Sequence, residues 1–268
     1  MKEKLDKLRN ILHKMGSVLL AYSGGVDSTF LLKVASDVLG RDNVLAVTAD
    51  SETYPRSELN FAKKMAVKFG VKHLIIKTDE LHNQKFADNP VNRCYYCKRE
   101  LFSKLKKIAK LKKIKYVLDA SQVSDKRDFR PGDKAKQELG IRSPLKEAGF
   151  TKEDIRRFSK KLGLATWDMP SKACLASRFP YGIKITIDGL QRVEKAENII
   201  KSLGFSQVRV RNYDSTARIE VEKDKVPFLI SKMRAENLAK IKKIGYKYIT
   251  VDLEGYRTGS LNEEIKKK

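Results

Sequence analysis

Three thiols and one glycine-containing turn are the parts of this chain best equipped for chemistry. Cys94 and Cys97 stand in NRCYYCK (Asn92–Lys98), and the third cysteine, Cys174, stands in SKACLASR (Ser171–Arg178). A CxxC can be a redox pair, half of a zinc site, or part of an iron–sulfur site. The redox reading calls for a thioredoxin-like context, which the flanking sequence lacks. A zinc site calls for four ligands, and His13, His73 and His82 have no paired spacing with a cysteine. Three thiolates can hold a 4Fe-4S cluster and leave one iron open to sulfide or substrate. The plain alternative is a buried Cys174 beside an incidental CxxC, since cysteine is often just a small core residue.

The second candidate is SGGVDS, Ser23–Ser28, placed between an apolar run and a helical pattern. Gly24 and Gly25 let the backbone turn sharply and aim its N–H groups at an anion. The helix that follows adds partial positive charge, and Ser23 and Ser28 add hydroxyls. Phosphate is the ligand that suits this chemistry. Asp27 would then hold a metal ion or orient a donor. GxxxxGK[ST] is absent, so the loop is not a Walker A sequence.

These residues need a scaffold, and the hydrophobic periodicity supplies one. After an amphipathic helix over about Lys2–Met15, Ser17–Tyr22 (SVLLAY) reads as a buried strand and Ser28–Leu39 as a helix. Strands follow at Val44–Thr48 and His73–Lys77, with a helix between them over Pro55–Phe69, Pro in its first turn and Gly70 at its C-cap. A helix after the CxxC and a strand at Tyr116–Ala120 continue the alternation. In Phe102–Ile114 the apolar stripe is Phe102, Leu105, Ile108 or Ala109, and Leu111, with lysines outside it. Strands alternating with helices predict an α/β fold with a doubly wound, mostly parallel sheet, whose ligands lie at the strand carboxyl ends. Beyond Pro180-Tyr181-Gly182 the order becomes helix (Asp188–Leu203), strands (Gln207–Asn212, Ala217–Val221), helix (Val226–Lys240) and strand (Tyr246–Asp252). That is a small α+β module. The expected domains are therefore 1–182 and 183–268, with a frayed Lys-rich tail at Ile265–Lys268.

In QVRVRN and ARIEVE, strand alternation puts Val208, Val210, Ile219 and Val221 on one face. Arg209, Arg211, Arg218, Glu220 and Glu222 fall on the other. The plain reading is a solvated, ion-paired sheet face. The functional one is a phosphate clamp, because Arg grips phosphate as a planar fork. Arg178, just after Cys174, is a further anion-binding candidate, with a helix-cap or salt-bridge role as its alternative.

The chain carries 57 Lys and Arg against 33 Asp and Glu, a formal charge of +24. Such an excess fits polyanionic partners, although solvated lysine faces and heat adaptation produce it too. Neither an apolar leader nor a run long enough to cross a bilayer is visible, and cysteine is scarce. A soluble cytoplasmic protein, without a membrane partner and forming a homo-oligomer, is expected.

SGGVDS in its strand–loop–helix setting resembles the PP-loop of the ATP pyrophosphatase superfamily, which cleaves ATP between its α and β phosphates and adenylylates a substrate carbonyl oxygen. The loop marks the activation and leaves the acceptor open. This resemblance implies a PP-loop domain over 1–182 and places Ala49-Asp50-Ser51 near the adenosine, where an ordinary loop cap is the plain reading of Asp50. RCYYCK (Arg93–Lys98), RPGDKA (Arg130–Ala135), RSPL (Arg142–Leu145), CLASRFPYG (Cys174–Gly182) and DLEGYRTGSLNE (Asp252–Glu263) narrow it. Together with the loop they are similar to the LarE family of ATP-dependent sulfur transferases, and they extend over almost the whole chain.

That resemblance implies synthesis of pyridinium-3,5-bisthiocarboxylic acid mononucleotide, the organic part of the nickel-pincer nucleotide cofactor. A small pyridinium mononucleotide is adenylylated on its carboxylate with ATP and Mg²⁺, and sulfur displaces AMP. Some family members sacrifice the cysteine matching Cys174, turning it into dehydroalanine. Others add a CxxC and use three thiolates for a 4Fe-4S cluster that relays sulfide. Having all three, this chain is expected to hold the cluster on Cys94, Cys97 and Cys174; its sulfide source is not specified. The family's use of arginines and glutamates for phosphate and metal binding carries to Arg209, Arg211, Glu197 and Glu220. Two stretches depart from the family pattern: DASQVSD (Asp119–Asp125), and WDMPS (Trp167–Ser171) with Met169 where Lys is common. They bear on the acceptor more than on ATP. A tRNA thiolase would explain the charge and the cluster motif, but the extra CxxC modules and RNA-binding appendage of such enzymes are missing, so nucleic acid is not the expected partner. An ATP-binding regulatory module without turnover is the non-enzymatic alternative.

Overall fold

The structure is a computed structural model that describes residues 2–127, 130–170, 173–263 and 265. Lys266–Lys268 of the expected frayed tail and Ser171 of WDMPS lie outside the described residues. In chain order the elements are α1 (Lys2–His13), β1 (Val18–Ala21), α2 (Val26–Leu39), β2 (Val44–Asp50), α3 (Arg56–Phe69) and β3 (Lys72–Lys77). Then come α4 (Gln84–Ala87), α5 (Arg93–Leu111), β4 (Tyr116–Leu118), α6 (Gly132–Glu138), α7 (Pro144–Glu147) and α8 (Lys152–Lys161). The remainder is α9 (Ile187–Ser202), β5 (Val208–Tyr213), β6 (Thr216–Val221), α10 (Val226–Lys232), α11 (Ala235–Lys243) and β7 (Tyr248–Val251). Two compact units result, one from Met1–Glu80 with Cys94–Lys172, the other from Leu81–Arg93 with Ala173–Lys268.

In the first unit four parallel strands lie in the order β3-β2-β1-β4. A parallel sheet is buried on both faces, so its strands read as continuous apolar runs, and β1 shows how the two faces divide. Val18 and Leu20 join a core built with α1, α2, α3 and α8, while Leu19 joins one built with Phe102, Leu105 and Ala109 of α5. Helices therefore cover both faces, the doubly wound α/β arrangement that the alternation predicts. Gly70 ends α3 in the left-handed region at φ 64°. Leu111, expected in the apolar stripe, is 82% exposed, because α5 ends there and the stripe closes at Ala109.

The second unit has three strands in the order β5-β6-β7, β5 and β6 antiparallel and β6 and β7 parallel. One face of the hairpin, Val208, Val210, Ala217, Ile219 and Val221, packs on α9, α10 and α11. The expected helix over Val226–Lys240 is two helices, broken at Met233 and Arg234, where the backbone leaves the helical region. The expected helix after the CxxC starts earlier, at Arg93, so both cysteines belong to α5 itself.

Candidate active site

The loop after β1 needs glycine at one position. Gly24 has φ +67°, and a Cβ there would lie 3.0 Å from the Cα and Cβ of Ala62 on α3. Two separate constraints, conformation and contact, thus exclude a side chain. Gly25 caps α2 with no side-chain hydrogen bond, so the first-turn amides stay available to an anion. Ser23 and Ser28 hydroxyls meet at 3.0 Å, and the Gly25 N–H points to the Ser23 hydroxyl at 3.4 Å. Tyr54, from the loop after β2, donates its hydroxyl to the Ser23 carbonyl; burial raises its pKa. Asp50 ends β2 and is paired with Arg56.

Asp27 meets a partner that spacing in the sequence does not reveal. The Lys152 amine contacts both Asp27 oxygens, at 2.8 and 2.9 Å, across 125 positions of chain. Thr151 and Asp154 form a capping box at the start of α8, and this fixes Lys152 in the first turn, next to the loop. Burial pushes the Asp27 carboxyl above its ordinary range, with Lys152 opposing and the Asp125 charge adding to the rise. Two acids and one ammonium therefore surround the end of the phosphate loop. Asp125 is itself held by the Gln122 side chain at 2.9 Å and by Arg130. In DASQVSD, Asp119 accepts from Lys136 at 2.8 Å and from the Ser121 and Ser143 hydroxyls. Burial opposes its ionisation, but Lys136 together with the Ser121 and Ser143 hydroxyls outweighs it and holds the carboxyl below its usual range. Met169 packs against the first unit's core, and its carbonyl accepts from Arg156 at 2.7 Å.

Cys94 and Cys97 lie at the positive end of the α5 dipole, Cys94 exposed and Cys97 partly so. Gly132 of α6 packs on this turn; a Cβ there would fall 2.9 Å from Lys98 Cγ and 3.3 Å from the Cys94 carbonyl. Tyr95 donates to Glu138 at 2.8 Å, a second tie between α5 and α6.

Cys174 belongs to the second unit, where it precedes a short 3-10 turn, Leu175–Arg178, and is exposed. Arg178 pins its backbone, donating to the Ala173 and Cys174 carbonyls at 2.7 and 3.0 Å. The same guanidinium forks onto Glu197 at 2.7 and 3.1 Å. Glu197 also takes the Val210 N–H of β5 at 3.2 Å. Burial works against that carboxylate, but Arg178 holds its pKa below the ordinary range. Arg211 forks onto Glu220 at 2.8 Å twice and reaches the Ser177 carbonyl at 2.7 Å. Arg209 lies over the Tyr256 ring at 5.2 Å, its pKa lowered by burial and then by the Arg178 charge.

The polar face of the hairpin is solvated only in part: Arg209, Arg211 and Glu220, with Arg178 and Glu197 packed on them, are each at most 8% exposed, while Arg218 and Glu222 stay partly exposed. Three buried guanidiniums against two buried carboxylates leave a surplus of positive charge beside the Cys174 turn, an environment suited to an anion. Among the described residues, no three His, Cys, Asp or Glu side chains are gathered as a metal site. No helix among them is long and apolar enough to cross a membrane.

The NAD synthase family matches residues 1–102. The pyridinium-3,5-bisthiocarboxylic acid mononucleotide synthase of Lactiplantibacillus plantarum is 39% identical over 257 residues, 96% of this chain and 92% of that one. The chain belongs to the LarE family of ATP-dependent sulfur transferases. An uncharacterized Synechocystis sp. protein shares 42% identity over the full length of both chains. The NH(3)-dependent NAD(+) synthetase of Chlorobaculum tepidum is 34% identical over 85 residues, 31% of each chain. What this LarE-family chain shares with NAD synthases includes the phosphate loop; Cys174, Arg178 and the hairpin lie beyond the matched segment.

Proposed function

We propose that this enzyme adenylylates a carboxylate of a pyridinium mononucleotide and then replaces oxygen by sulfur, within nickel-pincer nucleotide cofactor biosynthesis. The near full-length match to the Lactiplantibacillus plantarum synthase carries this reading, and the chemistry of the two sites supports it. In the first step the substrate carboxylate oxygen attacks the α-phosphorus of ATP and pyrophosphate leaves. Amides of the SGGVDS loop and the α2 N-terminus stabilise the charge on the departing group. Asp27 and Asp125 are the carboxylates that would hold Mg²⁺ against the phosphates, since magnesium commonly takes one or two carboxylates plus phosphate oxygens. Lys152, then released from Asp27, is a cation beside the leaving group. In the second step sulfide attacks the acyl carbon, AMP leaves, and a thiocarboxylate remains. Arg178, Arg209 and Arg211 would take the mononucleotide phosphate.

Cys94, Cys97 and Cys174 are accessible and, with no fourth cysteine, match in number the protein donors of a 4Fe-4S cluster with one open iron, although among the described residues no three such side chains are gathered as a metal site. Such a cluster would offer one iron to which external sulfide binds. The decisive experiment is anaerobic purification with iron and sulfide analysis, followed by turnover with ATP, Mg²⁺, sulfide and the pyridinium dicarboxylate mononucleotide. AMP, pyrophosphate and thiocarboxylate should form in repeated turnovers, with about four irons per chain, lost in Cys97→Ala. An iron-free protein whose Cys174 loses its sulfur mass after one turnover would replace the cluster with a sacrificial route. Absence of AMP would overturn the activation chemistry.

A further inference from the structure

Three loops stand side by side at the carboxyl ends of the first unit's strands: SGGVDS after β1, Ser51–Tyr54 after β2, and Thr78–Glu80 after β3. The third holds an acid that the chemistry above does not use. Glu80 is 4% exposed, and one of its oxygens accepts the Thr53 hydroxyl at 2.7 Å. Proton directions along this string are determined. Thr53 gives its hydroxyl proton to Glu80, so its oxygen accepts from the Ser51 hydroxyl at 2.9 Å, and Ser51 in turn receives the Thr53 N–H at 3.3 Å. No hydroxyl donor in the string remains for the second oxygen of Glu80. Among the described residues no cation pairs with this carboxylate and Thr53 is its one polar partner. A buried carboxylate without a counter-charge is costly unless further donors complete it.

The fold says where such donors would come from. In an open parallel sheet the ligand lies across the strand carboxyl ends. Neighbouring strands are about 4.8 Å apart, so the end of β3 lies roughly 10 Å from the phosphate loop after β1. Phosphate, then sugar, of a nucleotide laid over β2 covers that span. Tyr54 binds the Ser23 carbonyl directly, and its neighbour Thr53 binds Glu80, so the carboxylate is tied to the loop through one short stretch of chain. An ionised carboxylate only accepts hydrogen bonds, and the donors on that part of ATP are the ribose hydroxyls. We infer that Glu80 binds the ribose hydroxyls of ATP and so sets the preference for ribonucleotides. The inference rests on the ATP-activation reading and adds to it the residue that reads the sugar.

Calorimetric titration of the whole chain with Mg²⁺ and ATP, 2′-deoxy-ATP or 3′-deoxy-ATP tests this. A hydrogen bond to a charged acceptor corresponds to a preference of about tenfold or more for ATP over at least one deoxy analogue. In Glu80→Gln that ratio should collapse toward one, through weaker ATP binding and unchanged deoxynucleotide binding. Thr53→Val, which removes the brace and keeps the carboxylate, should retain the ratio. Equal losses for ATP and deoxy-ATP in both variants would show a bracing role and overturn the inference. So would an intact ratio in Glu80→Gln, or a ratio that moves with N6-methyl-ATP and not with the deoxy analogues. If the unaltered protein bound none of these nucleotides, the activation reading would fall and this inference with it.

Discussion

Gly24 shows how narrowly one backbone position can be specified. An alanine there would have to hold φ near +67° and also push Ala62, 3.0 Å away. Gly24→Ala should therefore weaken ATP binding by at least about tenfold, since each strain costs of order 1 kcal/mol or more, which calorimetry would measure. Lys152 is a second residue whose removal has a definite sign. Burial raises the Asp27 pKa and Lys152 opposes the rise, so Lys152→Met lets it climb further. If Asp27 must be ionised to hold Mg²⁺, the acid limb of the rate profile moves to higher pH. Full ionisation then comes later as pH rises, and the loss is greatest on the acidic side. A limb that stayed in place would separate Asp27 from the metal. The partnership was not legible in the sequence: SGGVDS announces a phosphate loop, but nothing local joins Asp27 to Lys152, 125 positions away.

At the scale of elements, the α5–α6 contact is where the CxxC gains a fixed geometry. Gly132 lies 2.9 Å from Lys98 Cγ and 3.3 Å from the Cys94 carbonyl, measured from the Cβ it lacks. Gly132→Ala should displace the first turn of α5, so that alkylation rates of Cys94 and Cys97 change while nucleotide affinity is kept. Adding Lys98→Ala removes the closer contact; recovery of the original alkylation rates would assign the effect to the side chain, and persistence would assign it to the Cys94 carbonyl. The strand–helix alternation of the first unit could be read from apolar runs because a parallel sheet is buried on both faces. Helix ends were harder. Asn92 is a residue type favoured at an N-cap, but the reading from the apolar stripe starts the helix after the cysteines, whereas α5 begins at Arg93. Val226–Lys240 keeps an apolar rhythm through Met233 and Arg234, and the break there left no Gly or Pro to announce it. Alternation correctly divided the faces of the hairpin, yet could not say that Arg209, Arg211 and Glu220 of its charged face would be buried by a distant 3-10 turn and by Glu197 of α9.

For the whole molecule, the distribution of buried charge between two separate cores leads to a thermal prediction. One core is closed by residues of the first unit and another by α9, α10, α11 and the second sheet. Arg178 and Glu197 are 3% and 2% exposed, and removing one partner of such a pair costs about 3–5 kcal/mol because the other is left buried and charged. Arg178→Met should thus lower the unfolding midpoint of the second unit by roughly 10–20 °C. The chain has a single tryptophan, Trp167, and it belongs to the first unit. Its fluorescence should report the first unit's transition almost unchanged, while far-UV ellipticity, which sees both, acquires an earlier step. Acidification should reproduce that early step in the unaltered protein. The Glu197 pKa is held below its ordinary range in the folded state, so its contribution is complete above about pH 4.3, the ordinary Glu value, and is lost as pH falls from there through the depressed pKa. In Arg178→Met the depression is smaller, with only the Lys201 and Arg209 charges left to maintain it, so the variant should lose less stability on acidification and the two proteins' pH curves should converge below the ordinary carboxylate range. If fluorescence and ellipticity instead fell together in Arg178→Met, the two cores would be a single cooperative system, and the second unit's charge pairs would stabilise the phosphate loop as well as the cysteine turn beside them.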